Sequence, residues 1–569
     1  MGPVRITPWD PIHKMTHLTT KLGQLLIRIW VISIFKSPTC AALSDPFDVR
    51  EATIDKVHFA LFNTDTTCRE VVSSFISRIE AFNPIVNAII TLNPDALAIA
   101  DQIDNQIGAG NSSGTLLCIP VLLKDNFDAV GMATTGGCVN LAGNVPTDDA
   151  PTVKAFKDAG AIILGKTNLH EMALEGLSVS SFGGQTVNPY DHTRTPGGSS
   201  GGTGAAIAAN FAIIGTGTDT VNSLRSPASA NSLFSFRPTR GLISRAGVIP
   251  VSYTQDTVGA MARNPGDLAV ALAVMASVGF DPKDNTTELA LQRTKREAFP
   301  PLFSGKPLRG LRLGLLDRLF NHTPSTETSP VNELMENMMS SLKRSGVEIV
   351  NITESIYDIT AISALDVQMY EYRELLDDYL SNPNMDGTPR PSTFQELYTC
   401  GNFLVIPRHY ENIRKAFVSS TSNSSYAKAQ HRIQDLSQAL QATFARHNLD
   451  ALIYPEQKNL VVKVGSPSQH GRNGILAAVT GSPVVAVPLG FSPPTCDAPL
   501  GVPVGMEILG KPWSEDLLLG IAYSIDELAP VRRMPAFANM TVELKAYSSV
   551  PVIWPDRGNI HEEYPLGVF

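Results

Sequence analysis

The chain has 569 residues with 45 basic and 54 acidic side chains, a net charge of −9; 43% of residues are hydrophobic and 17% charged. That apolar share excludes a disordered chain, and the mild acidity weighs against a nucleic-acid binder, which would show a basic patch or stripe. At about 150 residues per domain the length alone predicts three or four domains, but with no internal repeat and no Pro/Gly-rich linker, one large domain is expected.

Residues 22–35 read LGQLLIRIWVISIF, with Lys14 and Lys21 upstream and Cys40-Ala41-Ala42 downstream. This is roughly the layout of a signal peptide, although Arg28 interrupts the apolar run and the run is too short for a transmembrane helix. Residues 1–49 are therefore read as an N-terminal extension: a cleaved signal, a membrane-associating helix or a plain extension. The first would make the protein secreted, the others cytoplasmic or membrane-associated, and membrane contact is expected only through this segment. Six Asn-X-Ser/Thr sequons, at Asn111, Asn285, Asn321, Asn351, Asn423 and Asn539, are about as many as chance supplies and do not decide between these readings.

From Ala52 to about Asp104 the apolar spacing is helical, and Thr67 with Glu70 three residues on predicts a capping box. A strand is expected over Leu116–Leu123, ending in Lys124-Asp125, and another at 161–164 after a helix that ends near 158–160. Gly197–Gly204 (GGSSGGTG) then leads into an Ala-rich helix over Ala205–Ile214. The α/β alternation recurs at 310–350, with a helix near 331–345 and a strand at 347–350. Residues 425–450 read as a helix, and 484–489 and 505–509 as paired strands. Strands alternating with helices indicate an α/β chain. Cys40, Cys68, Cys118, Cys138, Cys400 and Cys496 are too scattered for a disulfide scaffold and carry no metal spacing, so mostly buried thiols are expected.

A Gly/Ser cluster such as 197–202 is by itself most often a flexible loop. It lacks the Gly-Lys-Ser/Thr ending of a phosphate cradle. A Gly-x-Ser-x-Gly elbow is formally present at Ser199 or Ser200, but the preceding 188–196 stretch is polar and Pro-bounded where an elbow needs a buried strand. His409 and His470 have no supporting motif that would make either the histidine of an elbow hydrolase. A second island, GTGTDTVNSLRSPA at 215–228, sets Asp219 and Arg225 close enough to brace a tight loop as an ion pair.

Lys124, the Ser199-Ser200 pair and Ser223, in that order, resemble the amidase signature family. Its core reads Gly-Gly-Ser-Ser-Gly-Gly, an Ala-rich helix, then Gly-Thr-Asp-x-Gly-Gly-Ser-x-Arg. The resemblance extends over roughly residues 50–540, through Gly165-Lys166-Thr167-Asn168, Arg237-Pro238-Thr239-Arg240-Gly241 and Gly481-Ser482-Pro483. It implies an α/β/α domain around a large, mixed, twisted sheet over 50–545, with 546–569 left as a C-terminal tail. It also implies Ser223 as acyl-accepting nucleophile, Ser199 as bridging serine after a cis peptide bond, and Lys124 as base. Ser200, Asp219 and Arg225 are supporting residues in this reading. The implied reaction is hydrolysis of a small-molecule carboxylic amide to acid plus ammonia or amine, without metal or cofactor; oligomeric state is not legible. A lysine serves as base only when neutral, so Lys124 is expected where burial or a neighbouring positive group lowers its pKa, and its place at the end of an apolar run is consistent with burial.

The chain departs from the family just before the nucleophile, where Val221-Asn222 replaces Gly-Gly. In the family these backbone N–H groups form the oxyanion hole, so Thr220, Val221, Asn222 and Ser223 inherit that role. A β-branched residue resists positive φ; either the loop keeps negative φ at Val221 or the hole is reshaped. Alternatives left open are an amidase-fold protein that binds without turnover, an esterase or acyl-transferring member, and a tRNA-dependent amidotransferase subunit. The substrate pocket is expected near residues 360–450, where Tyr370, Tyr372, Tyr379 and Phe403 are more often core than ligand contacts.

Overall fold

Eleven strands form one sheet: β1 (Ile89–Leu92), β2 (Pro120–Lys124), β3 (Ile162–Thr167), β4 (Ile214–Asp219), β5 (Phe234–Arg237), β6 (Thr257–Ala262), β7 (Arg312–Leu316), β8 (Glu348–Ile352), β9 (Ala451–Pro455), β10 (Val484–Phe491) and β11 (Pro503–Leu509). The order across the sheet is β1-β3-β2-β4-β6-β5-β10-β11-β9-β7-β8. Two parallel blocks, β3-β2-β4 and β9-β7-β8, are joined by antiparallel neighbours. β2, β3, β4 and β6 are buried at every position, so both faces are covered, as the apolar β2 and β3 runs require. Helices Pro265–Ala276, Ser329–Arg344 and Glu515–Leu528 pack against it. This is the mixed α/β architecture implied by the resemblance.

The computed structural model describes residues 47–111, 113–291, 308–387, 389–564 and 566–567; the apolar run 22–35 lies outside them. Residues Phe47–Phe569 cluster as one compact unit. Residues 546–564 run over its surface, where Asn87 Oδ1 accepts from the Asp556 N–H and Asn559 Nδ2 donates to the Gln185 carbonyl. Among the described residues no helix is long and apolar enough to cross a membrane.

The helical opening divides into Ile54–Phe62, Cys68–Val86 and Ala96–Gly108, with the Thr67–Glu70 capping box in place. Strand β1, only four residues long, is hidden between two of these helices. The strand expected over 116–123 starts only at Pro120, because Cys118 takes a positive φ of 63° and turns the chain. Cys118 is bonded to Cys68, so the expectation of mostly buried thiols fails here; of the other described cysteines Cys138 is buried while Cys400 and Cys496 are exposed.

The Ala-rich helix also starts earlier than expected, running from Gly201 to Ala208, and β4 takes over at Ile214. The glycines are inside this helix because it is buried on every side. A Cβ at Gly202 would sit 2.2 Å from the Asn168 carbonyl oxygen. The helices at 329–344 and 424–446 and the 484/509 pairing match the sequence pattern.

Candidate active site

Lys124 is the last residue of β2, and its apolar neighbours carry it into the core, where it is fully buried. Its Nζ donates to Ser199 Oγ at 2.7 Å and to Thr218 Oγ1 at 2.6 Å. Burial pushes its pKa down to about 7, against the opposing pull of Asp219 and Asp256. An amine near neutrality in place of an ammonium is what general-base work at neutral pH requires.

Thr218 carried no signal as a lone residue, but the Gly-Thr-Gly-Thr alternation of β4 sets Thr216 and Thr218 on one face. Both serve the lysine, since Thr216 Oγ1 accepts the Lys124 backbone N–H at 3.1 Å. Thr218→Val removes an acceptor that favours the charged amine. Activity is expected to fall about tenfold, the net worth of one hydrogen bond of ~1.4 kcal/mol. The acid limb of its pH–rate profile should move to lower pH, read by steady-state kinetics.

The structure brings Ser199 to the lysine through the 197–200 turn, with a cis peptide bond between Gly198 and Ser199. No strand precedes the turn, so the elbow geometry is absent here. Ser200 N–H donates to the Ser223 carbonyl at 3.3 Å, which ties the two serine segments together. The Ser200 hydroxyl donates to the Thr218 carbonyl at 3.4 Å, a supporting contact. Ser223 is 7% exposed, and its hydroxyl makes no hydrogen bond to any described residue.

The loop 220–223 has its carbonyls anchored. The Thr220 carbonyl accepts from Gln255 Nε2 at 3.2 Å, the Val221 carbonyl from an Arg225 guanidinium N–H, and the Asn222 carbonyl from Ser226 N–H at 2.8 Å. In a planar trans peptide the N–H points opposite its C=O. The N–H groups of Val221, Asn222 and Ser223 therefore turn away from these anchors, and they donate to no described residue. Neither Val221 nor Asn222 takes a positive φ. Of the two possibilities left by the missing glycines, the loop adopts negative φ.

The anchors rest on a buried charge cluster. Arg225 pairs with Asp219 at 3.1 Å and Glu507 at 2.7 Å, and Arg237 with Asp219 at 2.7 Å, all with fully buried side chains. Burial would raise the Asp219 pKa, but the two guanidiniums outweigh it and hold the carboxyl well below the usual range. The predicted Asp219–Arg225 brace is present, with two partners that sequence reading missed. Glu507 stands in the apolar strand β11, and an acid in such a run demands a partner. Arg225→Met leaves Asp219 and Glu507 short of a counter-charge; stability is expected to fall by about 3–5 kcal/mol, measured by denaturant unfolding.

Asn222 Nδ2 donates to Glu456 Oε1 at 2.8 Å. Burial and neighbouring Glu507 push Glu456 up to about 8. Gly474 seals the back of this loop, where a Cβ would lie 2.4 Å from the Asn222 Cβ. On the other side, a cavity of about 470 Å³ is lined by Thr218, Thr220, Val251, Tyr253, Asp256 and Tyr379, among others. Tyr379 is half-buried and lines the cavity, whereas Tyr372 and Phe403 belong to an aromatic core with Phe394 and Tyr398; Tyr370 is half-buried too. Among the described residues no cluster of His, Cys, Asp or Glu has the arrangement to hold a metal ion.

The fold has counterparts among solved structures. The native peptide amidase from Stenotrophomonas maltophilia superposes with a TM-score of 0.76 at 31% identity, covering 86% of this chain and all of that one. An amidase family protein from Bacillus anthracis gives 0.72 at 26% identity, over 86% of this chain and 92% of that one. The architecture is therefore the amidase-signature fold. The family model described as Amidase matches residues 70–519, and the chain belongs to that family. A probable amidase of Arabidopsis thaliana is 29% identical over 87% of this chain and 93% of its own length. A glutamyl-tRNA(Gln) amidotransferase subunit from a Picosynechococcus species is 31% identical over 84% of this chain and 98% of its own.

Proposed function

We propose that the protein hydrolyses a small-molecule carboxylic amide to acid plus ammonia or amine through an acyl-enzyme on Ser223. The observation that carries this reading is the fully buried Lys124, near neutral and 2.7 Å from Ser199 Oγ. Ser223 Oγ attacks the amide carbon, its proton passes to Ser199, and the Ser199 proton passes to the Lys124 lone pair. Charge on the former carbonyl oxygen is met by the N–H groups of the 220–223 loop. Such a donor is worth about 3–4 kcal/mol of transition-state stabilisation. The same relay then returns the proton to the leaving nitrogen as the C–N bond breaks. Water attacks the resulting ester, its proton follows the same path, and collapse releases the acid and regenerates the Ser223 hydroxyl.

The turnover reading is favoured over binding alone by the anchored carbonyls, which free three N–H groups without glycine. Amide hydrolysis by this route needs neither metal nor nucleic acid. A fluorophosphonate probe is expected to label Ser223, located by peptide mass mapping. Profiling across aliphatic, aromatic and C-terminal peptide amides then identifies the substrate, the last class because a peptide amidase shares the fold. No label on Ser223, in a preparation where a homologous amidase is labelled, overturns the reading.

A further inference from the structure

The number of sequons carries no information, but their placement does. Twelve of the chain's 30 asparagines are buried, and none of these is at a sequon. Asn111, Asn285, Asn351, Asn423 and Asn539 are exposed and Asn321 is half-buried. The amide nitrogens separate more sharply. Eighteen of the other twenty-four asparagines donate a side-chain Nδ2 hydrogen bond. None of the six sequon Nδ2 atoms donates to a described residue. Where a sequon side chain is engaged, the oxygen is used: Asn321 Oδ1 accepts from Thr323 N–H, Asn423 Oδ1 from Ser425 N–H and Asn285 Oδ1 from the Tyr253 hydroxyl. The fold thus makes no use of the one atom that N-glycosylation consumes.

A second observation points to the same compartment. Cys68 and Cys118 are joined by a disulfide across 50 residues of chain, and such bonds persist chiefly in secreted and lumenal proteins. The sequence of residues 22–35, with basic residues before and small residues after, is roughly the layout of a secretory signal, interrupted at Arg28.

We propose that this chain is an N-glycoprotein, carrying glycans on these surface sequons. In the transfer, Asn Nδ2 displaces the lipid pyrophosphate from C1 of a lipid-pyrophosphate-linked oligosaccharide. The Nδ2–C1 bond forms, the C1–O bond breaks, and one amide proton leaves. Two of the sites have local consequences. Asn351 lies on β8, an edge strand of the sheet, where a glycan blocks edge-to-edge pairing with another chain. Asn285 lines the cavity beside Thr218 and Thr220, so a glycan there stands at its mouth.

The full chain, expressed with its own N-terminus in a eukaryotic host, is expected to run above its sequence mass. Peptide-N-glycosidase digestion should collapse it in discrete steps and leave aspartate at the released sequons in peptide maps. Asn351→Gln and Thr353→Ala should each remove the Asn351 glycan, the second without touching the asparagine. Recovery of all six asparagines unmodified, from cells that glycosylate a co-expressed control sequon, overturns the proposal. The readout is mass alone, so it stands or falls independently of the amidase reading.

Discussion

Ser223→Ala is expected to lower kcat/KM for the best amide by on the order of 10⁴–10⁶-fold, with KM little changed. The covalent route disappears with the hydroxyl, whereas the free N–H groups and the cavity remain and sustain a residual rate. Because Ser223 Oγ makes no hydrogen bond to a described residue, the variant should keep wild-type stability. Steady-state kinetics and a denaturant titration read both halves, and the fluorophosphonate label should be lost in parallel. A variant retaining a tenth of the activity would exclude Ser223 as nucleophile.

Lys124→Ala is expected to cost about 10²–10⁴-fold, the usual worth of a positioned general base. The pH profile distinguishes this from structural damage. In the wild type the base is active only when neutral, so kcat/KM should rise with pH through about 7; the alanine variant should lose that limb. An elbow-type serine hydrolase would be indifferent to the substitution.

The same lysine makes stability pH-dependent, with a definite sign. Its folded pKa of about 7 lies below its ordinary 10.5, so between these values the unfolded chain binds more protons. Unfolding free energy should therefore rise with pH across that window, and the cost of the buried charge is fully present below it. Lys124→Met should lack this dependence, measurable as unfolding midpoints at pH 6.5 and pH 9. Asp219 pulls toward the ammonium, but Arg225 and Arg237 occupy its carboxylate and limit that pull.

Three pieces of the site were legible because they are local. Lys124 ends an apolar run, the 197–202 turn is a compact Gly/Ser cluster, and Asp219 and Arg225 lie six residues apart across one loop. The Thr67 capping box and the 424–446 helix were readable for the same reason. A periodic or capped segment carries its own signal. Four-residue β1 had too little length to show one, and the onset of the 201–208 helix was masked by glycines that serve packing against Asn168.

Sequence by itself determined the motif order, and with it the family and which lysine and serines stand as candidates. Tertiary structure alone decided how the loop before Ser223 is held without glycine. Gln255, Arg225 and Ser226 hold its carbonyls, while Glu456, 234 residues from Asn222 in the bend after β9, and Glu507, 282 residues from Arg225 on β11, secure the loop from far along the chain. The disulfide of Cys68 with Cys118 and the free amides of the six sequons belong to the same category. A buried polar group must find a partner somewhere, but which one depends on the elements the fold brings together, and that pairing is written in no local pattern.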